Sequence, residues 1–254
     1  MTALADGAPC WADVMLPDPE AGKRFYGDLL GWTFSEGAAG TGGYTQAFRN
    51  GKKAAGLMPR QDEASPTAWG LYFATGDITR TEALIREAGG RILTVPTEVG
   101  ALGTMLIAAD PTGAVFGAWQ AGEHRGFETG PEPGGYVWTV LHTRDAEAAD
   151  AFYAAVFGFE GVPGSPMARP GFLPWRLPGR TREIGCRIAM DATFPPEQPA
   201  HFLVCFLVDG MDAAARTATG LGGSLVVRPQ QTPGGPFAVF SDNQGATFGV
   251  IGLK

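Results

Sequence analysis

The chain has 254 residues, of which 44% are hydrophobic and 18% charged, with 38 Gly and 20 Pro. Such a composition excludes a helical bundle, a coiled coil or a disordered tail and favours short strands joined by tight turns. The formal net charge of −7 leaves no basic stripe to meet a phosphate backbone, which argues against nucleic acid or anionic membrane and for a small-molecule partner.

The opening segment from Trp11, WADVMLPDPEAGKRFYGDLLGW, is expected to be a strand and a helix. Asp18 is a suitable N-cap, Pro19 the first helical residue, Glu20 an acid in the positive first turn and Gly31 a left-handed stop. Ala21, Phe25 and Leu29 give the helix one apolar face, so the Phe25-Tyr26 pair is core. Short strands follow at Tyr44 to Arg49 and Lys53 to Pro59, and the Gly-rich run Gly37 to Gly43 between is a loop rather than a nucleotide cradle. Then come a strand from Trp69 to Thr75, a helix from about Thr79 to Ala88, and strands at Arg91 to Val95, Thr104 to Asp110 and Ala114 to Gln120. Gly122 to Gly135, rich in Gly, Pro and charge, is the linker, with His124 expected in solvent.

The second half copies the first. WTVLHTRDAEAADAFYAAVFGF from Trp138 repeats the opening segment at a shift of 127, and DNQGATFG from Asp242 repeats DPTGAVFG from Asp110 at a shift of 132. The expected organisation is residues 8–121, a linker at 122–135, and residues 136–254. Cys10, Cys186 and Cys205 lack the spacing of a disulfide framework or zinc knuckle, and neither a leader nor about 18 consecutive apolar residues occurs, so a reducing, cytoplasmic setting is expected.

These residues resemble the vicinal oxygen chelate superfamily, which includes glyoxalase I, bleomycin-resistance proteins and extradiol dioxygenases. The carriers are D-P-E-A-x-x-F-Y-x-x-L-G-W from Asp18, the helix ending at Gly89-Gly90, and the D-P-x-G-A turn at Asp110. The resemblance implies an α+β fold of four βαβββ modules forming two domains with cup-shaped mixed sheets, and in the family a divalent metal on the cup floor. Carried over by position, its usual metal ligands fall on Trp11, Gly70 and Gly117 in the first half and on Trp138, Leu203 and Gly249 in the second. None of these can donate to a hard or borderline cation. A Trp at the first ligand position also resembles a branch of tandem bacterial proteins with W-x-[DE]-L, often labelled hydroxylases. Trp11-Ala12-Asp13-Val14 follows that pattern more closely than Trp138-Thr139-Val140-Leu141, which lacks the acid.

Alternation along strands then suggests the lining, because residues i and i+2 share a face. Trp11, Asp13 and Met15 go together, as do Trp138, Val140 and His142; Gly70 and Tyr72; His201, Leu203 and Cys205; Val115, Gly117 and Trp119; and Thr247, Gly249 and Ile251. Trp69 joins Trp11, Trp119 and Trp138 as an aromatic that either stacks on a ligand or plugs the vacated metal site. Asp13 is a general base with Tyr72 as proton donor, or else accepts bonds from a neighbouring strand or faces solvent. His142 and His201 are an acid/base pair or ordinary core histidines, and Cys205 is a weak nucleophile or a small buried hydrophobe. The glycines at former ligand positions are expected to leave an unfilled cavity.

Three functions remain open on the sequence. The first is a cup that needs neither metal nor other cofactor, binds a largely apolar or aromatic metabolite and turns it over by acid/base chemistry. The second is sequestration of a toxic compound without turnover. The third is a metal-dependent isomerase or dioxygenase with Asp13, His142, His201 and Cys205 as non-standard ligands. Monomer and homodimer are both compatible with the sequence.

Overall fold

The computed structural model describes residues 4–36, 42–63 and 65–253; the loop expected at Gly37 to Gly43 falls mostly outside them. The first half runs β1 (Pro9–Leu16), α1 (Pro19–Leu30), β2 (Thr33–Phe34), β3 (Thr45–Arg49), β4 (Lys52–Pro59), β5 (Ala68–Ala74), α2 (Ile78–Glu87), β6 (Arg91–Glu98), β7 (Gly103–Ala109) and β8 (Val115–Ala121). The second half repeats it as β9 (Tyr136–Thr143), α3 (Ala146–Phe157), β10 (Glu160–Gly161), β11 (Phe172–Arg176), β12 (Glu183–Ala189), β13 (His201–Val208), α4 (Met211–Gly220), β14 (Ser224–Thr232), β15 (Gly235–Ser241) and β16 (Thr247–Gly252).

Helix punctuation follows local chemistry. The Asp18 carboxylate accepts from the Ala21 amide at 3.0 Å, Pro19 opens α1, and Gly31 closes it at φ 68°. Asp145 and Gly158 do the same for α3. The buried face of α1 differs from the expected one, being Gly22, Phe25, Tyr26 and Leu30 rather than Ala21, Phe25 and Leu29. A bonded hydroxyl lets Tyr26 turn inward, as described below.

The strands form two open, mixed, eight-stranded sheets of equivalent order, β2-β3-β4-β1-β5-β8-β7-β6 and β10-β11-β12-β9-β13-β16-β15-β14. The architecture is α+β. Along β1 the alternation is clean: Cys10, Ala12, Val14 and Leu16 are fully buried on one face, while Trp11, Asp13 and Met15 occupy the other.

Contacts group the chain into two compact units. Unit one comprises Met1–Cys10, Leu71–Gly126 and Thr139–Phe202; unit two comprises Trp11–Gly70, Phe127–Trp138 and Leu203–Lys254. Each unit therefore combines segments from both halves of the sequence.

In unit one α2 packs on α3, over an aromatic core in which Phe73 meets Phe157 at 5.3 Å and Phe116 meets Tyr153 at 5.8 Å. The Tyr153 hydroxyl donates to Asp110 Oδ2 at 3.1 Å, while Asp110 Oδ1 accepts from the Thr112 and Ala114 amides of its own turn. In unit two α1 packs on α4, with Trp69 and Phe206 at 5.0 Å and Tyr26 stacked on Trp32 at 5.7 Å. There Tyr26 donates to Asp242 Oδ2 at 2.8 Å, and Asp242 Oδ1 accepts from the Gln244 and Ala246 amides. Burial first, and the adjacent carboxylate second, hold both phenols well above their ordinary range, so they remain donors.

The linker is built into these cores. The amides of Gly122 and His124 both donate to the Leu102 carbonyl, bringing His124 over Trp119, whose Nε1 donates to the His124 carbonyl at 2.8 Å. His124 is consequently buried, not solvated as its composition-rich surroundings suggested. Further on, Gly134 accepts from Trp32 Nε1 at 2.7 Å and its amide donates to Leu207.

Candidate functional site

In unit two, β1 carries Trp11 and Asp13 on the face away from its aliphatic residues, and both are buried. Tyr44, just before β3, reaches the same place. Trp11 Nε1 donates to the Tyr44 hydroxyl at 2.7 Å, and that hydroxyl is hydrogen-bonded to the Asp13 carboxylate. Burial, then the Asp13 charge, keeps the Tyr44 phenol protonated. The result is a relay from indole N–H to phenol O–H to carboxylate.

Gly56 makes the relay possible. It is the parallel register partner of Asp13, and a Cβ there would run into the Tyr44 hydroxyl and lie 3.0 Å from Asp13 Cβ. Beside the relay stands an aromatic ladder: Trp11 and Phe127 have ring centroids 5.5 Å apart, and Phe127 stacks on Tyr136 at 4.7 Å and 4°. Tyr44, Phe127 and Tyr136 are half-buried, as are Met15 and Trp138, so the ladder has an accessible edge.

In unit one, His142 on β9 and His201 at the start of β13 stack at 4.8 Å and 18°. Phe194 lies 5.4 Å from His142. His142 is buried, and burial first, with the charge on His201 second, pushes its pKa down to about 3. His201 Nδ1 lies 2.9 Å from the Pro199 carbonyl, which can only accept, so Nδ1–H is the donor.

Several expected roles need correction. Gly117 and Gly249 do not leave open space: a Cβ at Gly117 would collide with the ring of Tyr72, its partner in the β5–β8 register, and one at Gly249 would collide with Cys205 Sγ, its partner in the β13–β16 register. The protein's own side chains fill the volume. Trp69 is part of the unit-two core, donating its Nε1 to the Tyr26 hydroxyl at 3.0 Å, because it alternates with Gly70 along β5. Asp13 has Tyr44 as its phenol partner within unit two, whereas Tyr72 belongs to unit one.

The remaining expected positions divide by burial. Leu203, Cys205 and Trp119 are buried; Gly70 and Ile251 are half-buried; Val115 and Thr247 are exposed at strand starts. Tyr44, Gly56, Phe127, Tyr136 and Phe194 were not anticipated. Only Gly56 carried a usable signal, since a glycine inside an apolar strand marks a close approach.

Among the described residues, no group of three or more His, Cys, Asp or Glu side chains could hold a metal ion. Of the non-standard set, Asp13 and Cys205 belong to unit two, and His142 and His201 to unit one. Together with Trp, Gly and Leu at the expected positions, this donor set does not fit a divalent cation.

Comparison with known proteins agrees with the geometry. The family model described as Glyoxalase/Bleomycin resistance protein/Dioxygenase superfamily matches residues 11–117, and the Glyoxalase-like domain model matches residues 138–251. The chain belongs to this superfamily. It carries two such domains in tandem. It is 34% identical over 251 residues to CFP32 of Mycobacterium tuberculosis, provisionally named a glyoxylase, covering 96% of this chain and 94% of that protein. It is also 34% identical over 275 residues to the anthracycline biosynthesis protein DnrV of Streptomyces peucetius, covering 100% of this chain and 96% of DnrV. The Mn(II)-bound glyoxalase from Novosphingobium aromaticivorans shares the fold, with a TM-score of 0.69 at 14% identity over 98% of this chain and 82% of that one.

Proposed function

We propose that this superfamily member binds a small, largely apolar, aromatic metabolite at the Trp11–Phe127–Tyr136 ladder and transforms it by proton transfer through Asp13. The observation that carries the proposal is the juxtaposition of the ladder with the relay. A flat ring finds aromatic surface there, and a carboxylate whose partner phenol stays protonated is positioned to take or return a proton. The relatives in anthracycline biosynthesis, DauV and DnrV, support a planar polycyclic aromatic as the ligand class. On this proposal the domains run over residues 8–121 and 136–254, and the protein works in the cytoplasm, where buried thiols such as Cys10 stay reduced.

The test is titration with alizarin, a dihydroxyanthraquinone, followed by tryptophan fluorescence. The expected result is saturable quenching in the micromolar range, weakened at least tenfold by Trp11→Ala or Phe127→Ala. Equal affinity in wild type and both variants would overturn the site. Native mass spectrometry of protein taken directly from cells identifies a bound compound. Because proton transfer leaves the mass of an isomer unchanged, a co-purifying compound is then followed by chromatographic retention and absorption: a change on incubation with the wild type that is absent in Asp13→Asn supports turnover, and an unchanged compound supports sequestration instead.

A further inference from the structure

The duplicated sheets differ at one register position. Val14 of β1 pairs with Leu57 of β4, and the equivalent Leu141 of β9 pairs with Arg187 of β12. Leu57 is fully buried, whereas Arg187 puts a guanidinium at that place with its side chain 15% exposed. Withdrawing a charge from water is costly where an aliphatic residue would serve, and the first half shows that the fold accepts one. Arg187 alternates with Ile188, the register partner of His142, so it lies on the opposite face of the sheet from that imidazole, towards α3.

α3 holds the guanidinium on one side. Arg187 Nε and Nη2 both donate to Asp150 Oδ2 at 3.1 Å, and Trp175 Nε1 donates to Asp150 Oδ1 at 2.9 Å. That leaves Nη1 a permanently charged donor with no protein acceptor among the described residues. Arg187 also lines a cavity of about 360 Å³ beneath the loop joining β10 to β11, a volume typical of small-molecule sites. A second guanidinium lines it, that of Arg169, held 4.2 Å over the Phe172 ring.

Charge and lining together select the occupant. From Glu160 to Arg187 the chain carries five Arg and two Glu, against a net charge of −7 overall, so this edge attracts an anion. Pro163 and Pro170 have no amide proton, and the amides of Ala168, Arg169 and Phe172 are bonded within the loop. None of these positions offers the free N–H groups with which loops cradle phosphate. The two guanidinium groups supply the donors instead, and their planar geometry suits a carboxylate. Pro163, Ala168, Pro170 and Leu173 give aliphatic walls, and the aromatic ring in the lining, Phe172, has one face taken by Arg169. A saturated chain fits such walls better than a stacked ring.

We propose that this cavity in unit one is a second ligand site, for a small aliphatic monocarboxylate whose carboxylate pairs with Arg187 and Arg169 and whose chain lies along Ala168 and Leu173. This inference is independent of the ladder in unit two, and its test keeps the two apart. The probes are octanoate and octan-1-ol, which share a chain and differ in charge. By calorimetry the wild type should bind octanoate saturably, and at least about tenfold more tightly than the alcohol, which cannot form the charge-assisted pair. Arg169→Ala, a change at an exposed residue, should weaken octanoate by about fivefold or more.

A second measurement needs no variant at the site. In 15N spectra of arginine-labelled protein, the Arg187 Nε resonance should move on addition of octanoate and stay in place with octan-1-ol, and the shift should be the same in Trp11→Ala. Equal affinity for the two probes, no saturable binding of octanoate, unchanged affinity in Arg169→Ala or an unmoved Arg187 resonance would each overturn the proposal. So would loss of the shift in Trp11→Ala, since octanoate would then be bound at the ladder. Failure of the alizarin titration alone would remove the ladder and leave this site standing.

Discussion

The Tyr26 hydroxyl donates to the Asp242 carboxylate at 2.8 Å across a separation of 216 residues, and Tyr153 does the same to Asp110 in the other unit. In each case a helix of one half pins the closing turn of the other. The two bonds differ in one respect: Tyr26 also accepts from Trp69 Nε1.

Replacing these tyrosines should therefore give an ordered pair of effects. Tyr153→Phe removes a hydrogen bond to a buried carboxylate and should cost about 1.5–3 kcal/mol. Tyr26→Phe loses the equivalent bond and leaves the Trp69 indole N–H without its acceptor, which should add about 1 kcal/mol or more. Urea unfolding of both variants checks the order; a larger loss in Tyr153→Phe would contradict it.

Gly56 should be intolerant of the smallest side chain. Gly56→Ala forces Tyr44 out of line with Asp13 and should destabilise by about 1–3 kcal/mol, the usual range for overpacking. Gly164→Ala, where a Cβ would meet nothing within 4 Å, should stay within about 0.5 kcal/mol. Thermal melts of the two variants make the comparison.

The same physics predicts a suppressor. Gly249→Ala should be destabilising because the new Cβ meets Cys205 Sγ, and Cys205→Ala should relieve most of that loss when the two are combined. A double-mutant cycle measures the coupling. Simple additivity of the two changes would show that the thiol does not fill that space.

Acid sensitivity should trace in part to His142. Its folded-state pKa of about 3 lies below the ordinary value of 6.5, so the unfolded chain takes up this proton first as pH falls. The contribution to stability is thus intact above about pH 6.5 and declines towards pH 3. At pH 4 the loss from this group is about 3 kcal/mol. His142→Phe cannot take up the proton in either state, so its stability should fall less between pH 7 and 4 than that of the wild type, as followed by urea titrations at several pH values.

Much of the fold was legible because its signals are local. Asp18, Pro19 and Gly31 fix α1 by capping chemistry alone, and the 127-residue repeat transfers the same punctuation to Asp145 and Gly158. The short edge strands β2 and β10 were not legible, since two residues carry no periodicity.

At the site, alternation correctly set Trp11 beside Asp13. It could not supply Tyr44 or Phe127, which arrive from elsewhere in the chain through pairing geometry. The assumption that a missing ligand leaves a void failed at Gly117 and Gly249 because interiors close up: a neighbouring side chain leans into the space a glycine concedes.

The strands of each sheet come from one half of the sequence, whereas each helical core takes a helix from both. In the first half alone the aromatic face of α1 would lack the Phe206, Phe248 and Asp242 that complete it. The second half supplies that cover here, as one subunit of a symmetric dimer would for the other. The linker from Gly122 to Gly135 makes that association unimolecular, so the two halves meet at a concentration that dilution cannot lower.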